Sequence, residues 1–259
     1  MTADSPIGLA VLFSIGAVAS AINTVAGGGS LLSFPTLIFG FGLPSKEANA
    51  TNALGLWPGS LGGALGFRNL YDQCKRHMKL LLLPTLLGSI LGAWLLIKTD
   101  KKLFDFVVPI LLLLAATLLL IQPRIKKFAN DHLGKPTISG PTAWILQLLV
   151  AVYGGYFGAG MGIMMLAAFS LFMEGTIHEI NAVKNWLGLI INAVASAIFV
   201  AQGLVLFLPG CVMAAGAILG GFLAGKYSQR VDPEKLRIAV AIYGVGMALF
   251  YAIRTYGSL

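Results

Sequence analysis

The chain has 259 residues, of which 57% are hydrophobic and 11% are charged. Soluble chains carry about 25% charged residues, so the composition excludes an ordinary soluble protein and predicts an integral membrane protein with the lipid bilayer as a partner. The net charge of +8 lies in short segments between apolar stretches. It therefore indicates membrane orientation and does not predict a nucleic-acid partner.

The first part of the chain is a series of apolar segments separated by short polar ones. A bilayer-spanning helix needs about 20 apolar residues, and several segments reach or approach that length. In chain order the sequence predicts an apolar segment at 7–25, a glycine break at 26–30, a short segment at 31–41, spans at 48–67, 80–97 and 103–121, a polar loop at 68–79 and a short loop at 98–102.

The second part of the chain repeats this order at a constant offset of 133 residues, the spacing between Asn52 and Asn185. The break Ala26-Gly27-Gly28-Gly29-Ser30 is matched by Ala159-Gly160-Met161-Gly162, and Asn52-Ala53-Leu54-Gly55-Leu56 by Asn185-Trp186-Leu187-Gly188-Leu189. Such a fixed period predicts a duplicated unit. The predicted parts of this single membrane domain are a first repeat at 1–121, a cytoplasmic linker at 122–141 and a second repeat at 142–259.

Basic residues change sides between the two copies. The loop at 68–79 and the linker carry four Lys or Arg each, whereas the second-copy equivalent of that loop, 202–208, carries none. The equivalent of 98–102 instead holds Lys226, Arg230 and Lys235. Because basic loops stay in the cytoplasm, this pattern predicts inverted-topology repeats of four helical elements each, although Lys98, Lys101 and Lys102 oppose it.

The two glycine breaks are predicted to meet near the membrane midplane. Irregular backbone inside a bilayer lines a cavity or is covered by protein, and each break is followed by a helix start that attracts anions. The predicted backbone donors are Gly28, Gly29, Ser30, Gly160 and Gly162. The alternative is that these glycines only permit a tight helical turn.

Polar side chains on the next spans complete the predicted substrate site. Thr51, Asn52 and Asn185 offer hydrogen bonds, and Lys184 supplies a positive charge. The alternative for Lys184 is that its side chain extends to the membrane interface. Trp57 and Trp186 are either pathway-lining residues or packing aromatics. No spacing predicts a metal site, Cys74 and Cys211 predict no disulfide, and no motif predicts a cofactor.

The chain resembles the TauE/SafE sulfite exporter family. The resemblance is carried by Ala26-Gly27-Gly28-Gly29-Ser30 with Pro35, by Ala50-Thr51-Asn52, and by Gly158-Ala159-Gly160-Met161-Gly162 with Lys184-Asn185. It covers nearly the whole chain. It implies a carrier in the cytoplasmic membrane for sulfite, thiosulfate or small organosulfonates, often working as an exporter.

The sequence therefore predicts a secondary transporter whose partner is a small sulfur-containing anion. A passive anion channel on the same fold is the alternative. An intramembrane enzyme would need a catalytic pair within the spans, such as two carboxylates or a serine with a histidine, and the sequence contains none there. The sequence is compatible with a homo-oligomer and does not fix the oligomeric state.

Overall fold

A computed structural model of the chain describes residues 2–25, 28–66, 70–132, 140–174, 176–227 and 232–257. Over these residues the regular structure is helical and no strand occurs, which confirms the all-α class. The helices are α1 (Pro6–Val25), α2 (Ser30–Phe39), α3 (Ser45–Gly66), α4 (Tyr71–Lys98), α5 (Lys101–His132), α6 (Gly140–Tyr156), α7 (Met161–Ser170), α8 (Ile177–Ala201), α9 (Phe207–Tyr227) and α10 (Pro233–Tyr256).

Six of the described helices are long and apolar enough to cross a membrane: α1, α4, α5, α8, α9 and α10. The protein is therefore a multi-pass membrane protein. Helix α3 has 22 residues, enough to cross, but it carries several polar side chains that face the interior of the protein. Helices α2 and α7 have 10 residues each, or about 15 Å, half of the roughly 30 Å apolar layer.

The two halves of the chain contain matching sets of helices. Among the described residues, five helices precede position 133 and five follow position 139, and each later helix begins within three residues of the 133-residue offset. The prediction of four helical elements per copy is wrong, because each glycine break separates two distinct helices. These breaks lie between α1 and α2 and between α6 and α7.

The conformation of the breaks agrees with their glycine content. Gly28, Gly158 and Gly160 have φ values of 84°, 79° and 79°, in the left-handed region that only glycine adopts without strain. Positions 26 and 27, also part of the predicted first break, lie outside the described residues. Both predicted interruptions are present, and each is followed directly by a half-length helix.

Small residues let helices from opposite halves pack closely. In the α1–α9 pair, a Cβ on Gly16 would lie 2.9 Å from the Cα of Met213, and one on Gly220 would lie 2.5 Å from the carbonyl carbon of Ala17. In the α4–α6 pair, a Cβ on Gly92 would lie 2.9 Å from the carbonyl carbon of Val152. Glycine is thus required where backbones touch, and these contacts join the first half to the second.

Helices α5 and α10 occupy equivalent places in the two halves and run antiparallel. The Tyr251 hydroxyl donates to Asp105 at 2.9 Å near the start of α5. The Tyr256 hydroxyl donates to the Phe106 carbonyl at 2.7 Å. Further along α5, a Cβ on Gly244 would lie 3.2 Å from Ala116. Residue numbers therefore rise along α5 in the direction in which they fall along α10.

Two predicted polar connections prove to be largely helical. Helix α4 begins at Tyr71, so the loop predicted at 68–79 is wrong over most of its length, and α5 continues to His132, well into the predicted linker. The physical reason is that Lys, Arg and Gln are good helix formers, so a helix continues after it has left the apolar layer. Arg68, Lys135 and Arg230 lie outside the described residues.

Candidate functional site

A cavity of about 1000 Å³ lies between the two halves. Its wall is formed by the end of α1, the middle of α3, both glycine breaks, most of α8, and parts of α5 and α9. Along α8 the lining runs from Asn181 to Phe199, which at 1.5 Å per residue is about 27 Å. The cavity therefore extends over most of the thickness of a membrane.

The second glycine break and α7 form one side of this cavity. Gly160 is the N-cap of α7 and provides no side-chain cap. In the first turn the Met161 N–H donates to the Gly158 carbonyl at 3.2 Å and the Ile163 N–H to the Gly160 carbonyl at 3.0 Å, and the Gly162 N–H has no backbone acceptor among the described residues. Lys184 lies against this helix start, since a Cβ on Gly162 would be 3.8 Å from its Cδ. The Lys184 ammonium donates to Asn181 Oδ1 at 2.8 Å. A positive side chain and a positive helix end are thus adjacent.

The first break contributes less to the cavity than predicted. Gly28 and Ser30 line it, whereas Gly29 does not. The Gly29 N–H donates to Asn23 Oδ1 at 2.6 Å, and a Cβ at Gly29 would lie 2.7 Å from the Ala19 carbonyl carbon. Gly29 therefore allows α1 and α2 to approach each other, and its N–H already has an acceptor.

The predicted polar pair on α3 divides between two environments. Asn52 lines the cavity, and the Ser33 hydroxyl donates to its Oδ1 at 2.5 Å, which leaves the NH₂ group as its donor. Thr51 is fully buried outside the cavity, where its Oγ1 accepts the Leu206 N–H at 3.0 Å. Thr51 thus fixes the chain just before α9, and it is not placed to touch a molecule in the cavity.

The remaining predicted residues also separate. Asn185 and Trp57 line the cavity, and Trp186 does not. Trp186 packs edge-on against Tyr71, with ring centroids 6.1 Å apart. Both indole N–H groups are buried without a hydrogen-bond partner among the described residues. Trp57 lines the cavity and could contact a molecule bound there, whereas Trp186 could not.

Sequence reasoning missed much of the polar lining. Six of the eight asparagines in the chain face this one cavity, and amides inside apolar helices were the signal that could have found them. Gln122 and Lys126 of α5 also line it, whereas the sequence predicts both in the linker. The six asparagines are Asn23, Asn49, Asn52, Asn181, Asn185 and Asn192.

The charged side chains among the described residues of the cavity lining are all positive. Among the described lining residues the ionisable side chains are Lys126 and Lys184, and no Asp or Glu occurs. Neither lysine forms a salt bridge with any residue that the structure describes. With side-chain amide groups and the Gly162 N–H nearby, these ammonium groups make a site suited to an oxyanion.

The family model of the sulfite exporter TauE/SafE matches residues 12–251. The chain belongs to this family. Curated relatives that match over most of their length carry transporter names. A "Probable membrane transporter protein" of Haemophilus influenzae is 32% identical over 90% of both chains. The "Probable membrane transporter protein YfcA" of Escherichia coli K12 is 27% identical over 94% of this chain and 89% of the relative.

A third relative, the "Probable membrane transporter protein ORF9" of Sinorhizobium sp., is 24% identical over 93% of this chain and 91% of the relative. No solved structure matches the chain. Family membership, the relatives and the membrane-spanning helices together identify this TauE/SafE protein as a membrane transporter.

Proposed function

We propose that the protein is a secondary transporter that exports small sulfur-containing anions, such as sulfite, thiosulfate or organosulfonates, across the cytoplasmic membrane. The observation that carries this proposal is the position of Lys184 beside the start of α7, inside a cavity whose described lining has no carboxylate. Sulfite and sulfonate groups each present three oxygens on one sulfur. Such a group matches convergent N–H donors around one positive charge.

Each part of the lining has a role in the proposed site. Lys184 supplies charge, the amides of Asn52 and Asn185 donate to substrate oxygens, and the backbone around Gly160 and Gly162 offers N–H groups. Gly28 and Ser30 also line the cavity. The volume of about 1000 Å³ is at the upper end of ligand pockets, which measure roughly 300–1,000 Å³, so a hydrated anion or an organosulfonate with several carbon atoms has room.

The two halves are proposed to have inverted topology. Equivalent helices related by an axis along the membrane normal would run parallel, whereas an axis in the membrane plane makes them antiparallel. The contacts of Asp105 with Tyr251 and of Phe106 with Tyr256 make the equivalent helices α5 and α10 antiparallel. This favours inverted topology. Inverted topology would place the two glycine breaks, and the half-length helices α2 and α7 that follow them, at the same depth in the membrane.

The cavity is proposed to open to the cytoplasm. The start of α4 and the end of α5 lie at the same end of the molecule, because only two residues separate Lys98 from Lys101. These two helix ends carry six Lys or Arg residues, at positions 75, 76, 79, 124, 126 and 127, which favours the cytoplasmic side. Lys126, near the end of α5, is exposed and lines the cavity. An exporter would load its substrate through this mouth.

The far end of the cavity favours a carrier over the alternative, a passive anion channel. There the lining residues Phe157 and Phe199 are only 8% and 1% exposed. Phe157 also packs edge-on against Phe34, with centroids 5.3 Å apart. A channel needs a path that is open at both ends at once, whereas a carrier exposes its site to one side at a time.

The test uses purified protein in proteoliposomes and radiolabelled thiosulfate, which is stable in air. Wild-type protein is expected to give saturable uptake and counterflow. Replacing Lys184 by Met keeps an unbranched side chain and removes the charge, and the affinity should fall about 10- to 150-fold, the value of a hydrogen bond to a charged group. Lys127→Met, on an exposed lysine that does not line the cavity, is the matched control.

Two results would contradict the proposal. Equal thiosulfate affinity of Lys184→Met and wild type would remove Lys184 from the site. Large, non-saturating anion currents without counterflow would identify a channel.

A further inference from the structure

The cavity contains two ammonium groups from different helices. Lys184 belongs to α8 and Lys126 to α5, and both residues line the same space. As noted above, no described carboxylate of the lining offsets either charge. An empty cavity therefore holds two uncompensated like charges.

The two lysines lie at different depths. The Lys184 side chain rests against Gly162 at the start of α7 and is held by Asn181. Lys126 is exposed and lies four residues after Gln122, so both side chains share one face of α5 and both line the cavity. Lys184 is thus the inner charge and Lys126 the outer charge, at the mouth.

We propose that Lys126 makes this cavity prefer doubly charged anions over singly charged ones, with Lys184 binding one negative charge and Lys126 the other. This inference rests on the proposed function, since it concerns the same anion site. A dianion compensates both ammonium groups, whereas a monoanion leaves one of two neighbouring positive charges without a counter-charge. The substrate class is then an oxyanion or organosulfonate with two negative charges.

The size of the effect follows from Coulomb's law. In a water-like medium at contact distance, one ammonium favours an anion about fivefold per unit of anion charge. Removing the Lys126 charge should therefore weaken a dianion, which places one charge at Lys126, about fivefold and should leave a monoanion bound at Lys184 nearly unchanged, so the ratio of their affinities falls about fivefold. Because the site is open to solvent at Lys126, this change should shrink as salt is added.

The experiment measures binding to the purified full-length protein by calorimetry, with two pairs of probes. Thiosulfate and methanesulfonate differ in charge and contain sulfur, while malonate and acetate differ in charge and contain none. The variants are Lys126→Gln, Lys126→Arg and the control Lys127→Gln. Thermal stability of each variant in detergent is measured alongside.

The expected result is a dianion preference that falls about fivefold in Lys126→Gln and is retained in Lys126→Arg and in Lys127→Gln. An unchanged thiosulfate-to-methanesulfonate ratio in Lys126→Gln would overturn this inference and leave the proposed function in place. A Lys126-dependent preference for malonate over acetate, without binding of either sulfur anion, would support the inference and overturn the proposed substrate. If none of the four probes binds, both are overturned.

Discussion

Gly29 is predicted to be indispensable for packing and not for binding. Its backbone is in the ordinary right-handed helical region, with φ −57° and ψ −29°, so alanine would be allowed there by conformation. A Cβ would nevertheless overlap the Ala19 carbonyl, whose carbon would be 2.7 Å away. Because the obstacle is backbone, Gly29→Ala should force α1 and α2 apart.

The magnitude follows from the cost of overpacking, which is typically 1–3 kcal/mol. The Ala19 backbone cannot rotate away as a side chain could, so we expect about 3 kcal/mol. For a protein of this size that corresponds to a fall of roughly 6–12 °C in melting temperature. The assay is thermal unfolding of detergent-solubilised protein at one fixed scan rate, because unfolding of such proteins is often irreversible.

The control is Gly246→Ala, the same chemical change within α10, where nothing lies within 4 Å of the added carbon. Alanine is a better helix former than glycine by up to about 1 kcal/mol, so this variant should melt at or above the wild-type temperature. If Gly29→Ala were as stable as Gly246→Ala, the close approach of α1 to α2 described here would be refuted.

Two further predictions separate residues that touch the substrate from residues that only support the fold. Trp57→Phe should weaken thiosulfate binding about fivefold, the value of one neutral hydrogen bond, while Trp186→Phe, away from the cavity, should not; equal losses in calorimetry would contradict this. Thr51→Val should lower stability by about 1 kcal/mol, because it removes the acceptor of the partly buried Leu206 N–H, and should keep the wild-type thiosulfate affinity. Its control is Thr36→Val, since the Thr36 hydroxyl bonds only within its own helix; a loss of affinity in Thr51→Val at full stability would return Thr51 to the site.

The repeat and its two breaks could be predicted from sequence because both depend on which residues occur at which spacing. A fixed offset between Asn52 and Asn185 does not depend on how the helices pack. Consecutive glycines inside an apolar segment are also unfavourable for an uninterrupted helix. The breaks, the half-length helices that follow them and the polar spans were therefore within reach of sequence reasoning.

Sequence reasoning could not show which of two neighbouring residues lines the cavity and which supports the fold. Thr51 and Asn52 are adjacent, yet successive residues on a helix point about 100° apart, and only the packing shows which of them faces the cavity. The polar residues around Lys126 predict a linker. Composition does not distinguish a loop from a helix that continues beyond the membrane, so the outer charge of the cavity was missed.

The glycine contacts between α1 and α9 also have a consequence for how the protein is made. Gly16 packs on Met213, which is synthesised 197 residues later. During translation the face of α1 that contacts α9 is therefore exposed to lipid until most of the polypeptide has been inserted. Helix α4, by contrast, meets its partner α6 much sooner. The contacts between the two halves can form only after the second half has entered the membrane. A truncated product that lacks α9 would therefore leave this face of α1 exposed to other membrane proteins.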